Sequence, residues 1–77
     1  MGEEVKTIEQ AEEIALKACQ ALEISVNEKD VKEIEYEKQK GKWEVEIMCG
    51  EEEIEVKIRK IDGVILKIER KEKEEKD

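Results

Sequence analysis

The side chains best equipped for chemistry in this sequence are two cysteines, Cys19 and Cys49, and a large population of glutamates. Other reactive types are nearly absent: there is no histidine, one serine (Ser25) and one threonine (Thr7). Nucleophilic catalysis needs a base within hydrogen-bond reach of its nucleophile, and these residues offer no such pair. Paired carboxylates do acid–base work only where one of them is desolvated and its pKa raised. Here Glu35, Glu44, Glu46 and Glu55 fall at alternating positions, which places them together on the solvent side of a sheet as an acidic face. The chain is therefore expected to be noncatalytic and without a cofactor. Two thiols without histidine do not complete a tetrahedral zinc site of the usual kind. Glu51-Glu52-Glu53 lacks the spaced Asp and Gly pattern of a calcium loop, so no metal site is expected.

Three readings of the cysteines stay open. They are buried reduced thiols acting as small hydrophobes, a Cys19–Cys49 disulfide across the edge of the core, or a redox switch. The acidic face likewise has a plain reading, a solvated surface that opposes aggregation, and a sharper one. The sharper one is a docking surface for a basic partner or a loosely held divalent cation.

The elements that position these residues follow from hydrophobic spacing. Thr7-Ile8-Glu9-Gln10 has the form of a capping box, and Ile8, Ala11, Ile14, Ala15, Ala18, Cys19 and Leu22 recur at intervals of three and four. This predicts a helix from Ile8 to Leu22 with one apolar stripe. From Glu23 to Asp30 a polar connection follows. The period then switches to two in four segments, centred on Ile34 and Tyr36, on Trp43 to Ile47, on Ile54 to Ile58, and on Val64 to Ile68. The fold class expected is α+β, one amphipathic helix on a four-stranded antiparallel meander.

A one-residue slip of register would flip every side chain, so the turns can be tested for parity. A tight turn at Lys40-Gly41 pairs Tyr36 with Val45 and Ile34 with Ile47, and it sets Glu35 against Glu46. A two-residue turn at Gly50-Glu51 pairs Ile47 with Ile54, Val45 with Val56, Glu46 with Glu55 and Glu44 with Lys57. A three-residue loop, Ile61-Asp62-Gly63, leads into the last strand with Ile65 pointing outward. The outer strands, Val31 to Lys38 and Val64 to Arg70, are sheet edges. Val64, Ile65 and Leu66 form the apolar run at which an edge could accept another strand. One domain over residues 1–69 is expected, with residues 70–77 as a charged, disordered tail.

The run Thr7-Ile8-Glu9-Gln10-Ala11-Glu12-Glu13-Ile14-Ala15 resembles the opening helix of PepSY domains, the peptidase propeptide and YpeB-type family, with its T-x-E-x-A-x-x-I-A pattern. Trp43-Glu44-Val45-Glu46-Ile47 is similar to the family's Y-x-V-x-I strand. Ile54 to Ile58, followed by Gly63 and Val64-Ile65-Leu66-Lys67-Ile68, resembles its closing hairpin. Arg59 stands where the family commonly has Asp, and Asp62 where it commonly has Thr. The resemblance implies a noncatalytic domain of the kind found in propeptides of secreted metallopeptidases, with a peptidase or an extended peptide as partner. The alternative is a small structural or self-associating domain with no specific ligand, a monomer or a weak homodimer through a sheet edge.

Composition narrows the partners. Of 77 residues, 49% are charged, for a net charge of −8, so phosphate backbones and anionic lipid surfaces are repelled. Neither nucleic acid nor membrane is an expected partner, and no segment approaches the ~20 apolar residues of a membrane span. The bias to Glu and Lys is that of proteins from hot environments or of designed surfaces. Met1-Gly2-Glu3-Glu4 lacks the basic start and apolar stretch of a secretory signal, which implies a cytosolic protein, or a secreted one from which a signal was removed.

Overall fold

Thr7 caps the start of a long helix. In the computed structural model, which describes residues 2–72, α1 spans Ile8–Ala21. The Thr7 hydroxyl accepts from the Gln10 amide at 3.1 Å, and the Gln10 side chain accepts from the Thr7 amide at 3.0 Å. The capping box thus satisfies two of the amides that a helix start leaves open. The other end closes without glycine. Glu23 takes a left-handed backbone, φ 63°, while its amide donates to Gln20 and the Ile24 amide donates to Cys19. These are the two bonds of a Schellman motif, and they turn Ile24 back under the helix.

A short 3-10 turn at Glu28–Asp30, capped by Asn27, leads into the sheet. Its strands are β1 (Val31–Glu37), β2 (Lys42–Cys49), β3 (Glu52–Arg59) and β4 (Ile65–Glu72), antiparallel neighbours in chain order. The expected α+β meander is the observed one. α1 packs across β1, β2 and β3. The core between them is Ala11, Ala15 and Cys19 from the helix with Trp43, Val45, Ile47, Ile54, Val56 and Ile58 from the sheet. Small residues on the helix let it lie close to the Ile and Val surface of the strands.

Three further core residues come from segments with no periodic signal. Val5 precedes the helix, and its amide donates to the Lys60 carbonyl at 2.7 Å. Ile24 and Val26 lie in the connection that reads as polar in sequence, and both are buried. Conversely, Ile8 and Leu22, expected in the apolar stripe, are 55% and 49% exposed. The stripe is narrower than the sequence implies because Val5, Ile24 and Val26 fill the space at its two ends.

The strand registers carry two corrections. In the first hairpin Ile34 faces Val45 and Tyr36 faces Trp43, two residues away from the register expected of a tight turn. The loop is the four residues 38–41, closed by Glu37 opposite Lys42, with their side chains 3.6 Å apart. This register stacks Tyr36 against Trp43, ring centroids 5.0 Å apart. A slip of two preserves parity, so the inward face is unchanged. Before it, a bulge at Lys32 lets Val31 and Ile34, three apart, both reach the core.

The β2–β3 register is the one expected throughout. Gly50 has φ 65° at the first central position of its two-residue turn, as a type II′ turn requires.

The second correction is in β4. Ile58 faces Ile65 while Lys57 faces Lys67, so Leu66 is an extra residue, a second bulge. Ile65 therefore packs on the core instead of pointing outward, and Leu66 is the exposed one. Arg59 and Asp62, the two departures from the PepSY pattern, pair with each other across the turn with a contact of 2.8 Å. Arg70, Lys71 and Glu72 continue β4 and are not tail; residues 73–77 lie outside the described residues.

Candidate functional site

The outward face of the sheet holds the acidic residues in cross-strand rows. One row is Glu33, Glu46, Glu55 and Glu69, a carboxylate from each strand. The next is Glu35, Glu44, Lys57 and Lys67. Glu35 thus faces Glu44, not Glu46, which follows directly from the shifted first hairpin. Like charges directly opposite each other on a sheet are destabilising, and the carboxyls respond. Hydrogen bonding to Glu53, then burial and the charges of Glu53 and Glu33, raise the pKa of Glu46. Burial, followed by the proximity of Glu37, raises that of Glu44. Lys67, 2.9 Å from Glu69, holds the Glu69 carboxyl below its usual range. These are surface carboxyls acting on one another and on the neighbouring lysines. Among the described residues, no group of three or more His, Cys, Asp or Glu is arranged to hold a metal ion.

The two cysteines meet at one end of the core. Cys19 is buried on the last full turn of α1, and half-buried Cys49 ends β2 on the inward side. The Ile24-Ser25 segment joins them: the Ile24 amide donates to the Cys19 carbonyl at 2.9 Å, and the Cys49 thiol lies 3.9 Å from the Ser25 carbonyl. Both thiols are free. Burial first, and then Cys49, raise the pKa of Cys19; Arg70 acts in the opposite direction. Arg70 is brought near Cys19 because β4 runs on through Glu72. In β4 it sits opposite Ile54 and forks onto Glu52 through two 2.9 Å hydrogen bonds. With the Arg70 charge committed to Glu52 and burial dominant at Cys19, the Cys19 thiol is held above its ordinary range, the opposite of an activated nucleophile.

The third candidate is the β4 edge. Of the run Val64-Ile65-Leu66, Val64 and Leu66 are exposed, and Ile61 beside them is 72% exposed. β4 has a neighbour on one side only, β3, so its outer backbone groups are unpaired within the sheet. The apolar side chains beside the free edge are therefore Ile61, Val64 and Leu66, with Ile65 turned inward.

Comparison with family models, with curated proteins and with solved structures yields no match. No helix among the described residues is long and apolar enough to cross a membrane.

Proposed function

We propose that this chain is a noncatalytic binding module of PepSY type that takes an extended segment, from a peptidase or a free peptide, along the β4 edge. The observation that carries this reading is a free antiparallel edge flanked by exposed Val64 and Leu66. Strand addition supplies main-chain hydrogen bonds for affinity, and alternate side chains supply specificity. The net charge of −8 favours a basic segment. The near absence of nucleophile and base pairs supports a binding role over a chemical one.

A calorimetric titration with two extended peptides tests it, one alternating Lys with Val and the other alternating Glu with Val. The basic peptide is expected to bind once per chain and to lose affinity with Leu66→Lys and with Val64→Lys, which place charge beside the edge while leaving the core intact. Ile65→Lys is unsuitable, because it would bury a charge. Equal binding of both peptides, or binding indifferent to either substitution, would overturn the reading.

A further inference from the structure

The charge rows on the outward face end abruptly at β4, and the way they end selects a partner. The row Glu33–Glu46–Glu55–Glu69 reaches the edge with like charges side by side, and the adjacent row reaches it with Lys57 beside Lys67. At the β4 edge one row therefore ends in a carboxylate and the next in an ammonium. We propose that the β4 edge pairs with the β4 edge of a second copy of this chain, antiparallel and centred on Ile68.

The register follows from elimination. An antiparallel partner must set inward residues against inward ones, so a second copy slides along β4 in steps of two. Centred on Lys67, that lysine meets its own equivalent. Centred on Glu69, the two glutamates meet, and Lys67 faces Lys71. Centred on Arg70, the two guanidinium groups meet. Centred on Ile68, Lys67 of each copy faces Glu69 of the other, twice by symmetry, and no like charges oppose. The all-carboxylate row then continues into Lys67 and Lys57 of the second copy. The Lys57–Lys67 row continues into Glu69 and Glu55 of the second copy. On the inward side Ile68 meets Ile68, both packed against their own cores.

The bulge at Leu66 limits regular pairing to the stretch from Lys67 to Glu69. The interface is correspondingly short, and it forms reversibly. It does not depend on the peptide reading; a strand-like peptide and a second copy would compete for one edge.

Sedimentation equilibrium up to about 1 mM protein tests it, since a weak pair dissociates below that range. The wild type is expected to populate dimers. Lys67→Glu alone and Glu69→Lys alone each replace two attractive pairs with two repulsive ones, and each should weaken dimerisation about tenfold or more. The double variant K67E/E69K restores the opposite pairing and should restore the dimer. An equimolar mixture of the two single variants should form a heterodimer, with each chain's circular dichroism confirming that it is folded. A wild type monomeric throughout the range would overturn the proposal, even if the basic peptide binds. So would dimers indifferent to either single reversal, or a mixture that fails to associate.

Discussion

The indole Nε1 of Trp43 donates to the main-chain carbonyl of Val5 at 3.0 Å inside the core. This one bond ties the segment before α1 to the second strand. The Val5 amide completes the tie by donating to Lys60 beyond β3, and the Lys60 ammonium pairs with Glu4. The segment before the helix is thus held from both sides and closes the core beneath Trp43, where the sequence shows only an unpatterned leader.

Trp43→Phe keeps an aromatic ring against Tyr36 but leaves the Val5 carbonyl without its donor. An unsatisfied buried acceptor costs about 1–3 kcal/mol, so the urea midpoint followed by circular dichroism should fall accordingly. Deleting residues 1–5 should cost at least as much, because it removes the buried Val5 as well. A Phe variant as stable as the wild type would mean that this bond contributes nothing net.

Glu23 stands in a left-handed conformation that non-glycine residues adopt at a cost of roughly 1–2 kcal/mol. Glycine there relieves the strain but has more backbone entropy to lose on folding. Glu23→Gly should therefore stabilise the protein by about 0.5–1 kcal/mol, read as a rise in melting temperature. Glu23→Val should do the reverse, since a β-branched residue fits the left-handed region worst.

How far the sequence could be read depended on whether each local signal stood in its usual form. The capping box at Thr7, the type II′ glycine at Gly50 and the alternation in β2 and β3 are ordinary signals, and each marks its element at the right place. The end of α1 has no glycine, so Glu23 conceals a Schellman turn, and Ile24 and Val26 read as part of a polar connection. Both bulges join apolar residues three apart, Val31 with Ile34 and Ile65 with Ile68. Strict alternation must assign one of each pair to the wrong face. That is why Ile65 reads as outward and Leu66 as inward, and the candidate edge changes its side chains though not its position. The acidic face was legible because only one hairpin shifted, and by two residues, which changes neighbours without changing faces.

The core assignment separates sharply from the edges of the apolar stripe. Ile47 is fully buried at the centre of the sheet, and Ile47→Ala should cost about 2–5 kcal/mol, a large part of a small domain's stability. Leu22→Ala and Ile8→Ala, at half-exposed positions on the same helical stripe, should stay within about 1 kcal/mol of the wild type. Urea unfolding of the three variants checks the contrast. Equal losses at Leu22 and Ile47 would contradict the helix orientation described above.

Glu46 is the carboxyl on which the sheet's charge arrangement acts most directly. Glu53 and Glu33 flank it, Glu55 faces it, and Lys32 is the cation near it. Its pKa in the fold is raised above the ordinary 4.5, so the folded state binds that proton more tightly than the unfolded chain. The sign is then fixed by linkage: ionisation of Glu46 erodes stability as pH climbs from its unfolded value through its folded one, and the loss is constant above. Glu52, Asp62 and Glu69, whose pKa values are lowered by Arg70, Arg59 and Lys67, contribute in the opposite sense and lose their contribution on acidification. Glu46→Gln keeps a side chain that can donate to Glu53 and removes the charge. At neutral pH it should stabilise the protein by roughly 0.2–1 kcal/mol, towards the low end once solvent screening of an exposed carboxyl is counted. The gain should shrink as pH falls through the folded pKa and vanish below the unfolded one, where wild-type Glu46 is already neutral. Thermal melts of both proteins across this range, repeated in high salt, measure the difference directly. A variant less stable than the wild type at neutral pH would show that Lys32 outweighs the carboxylates around it.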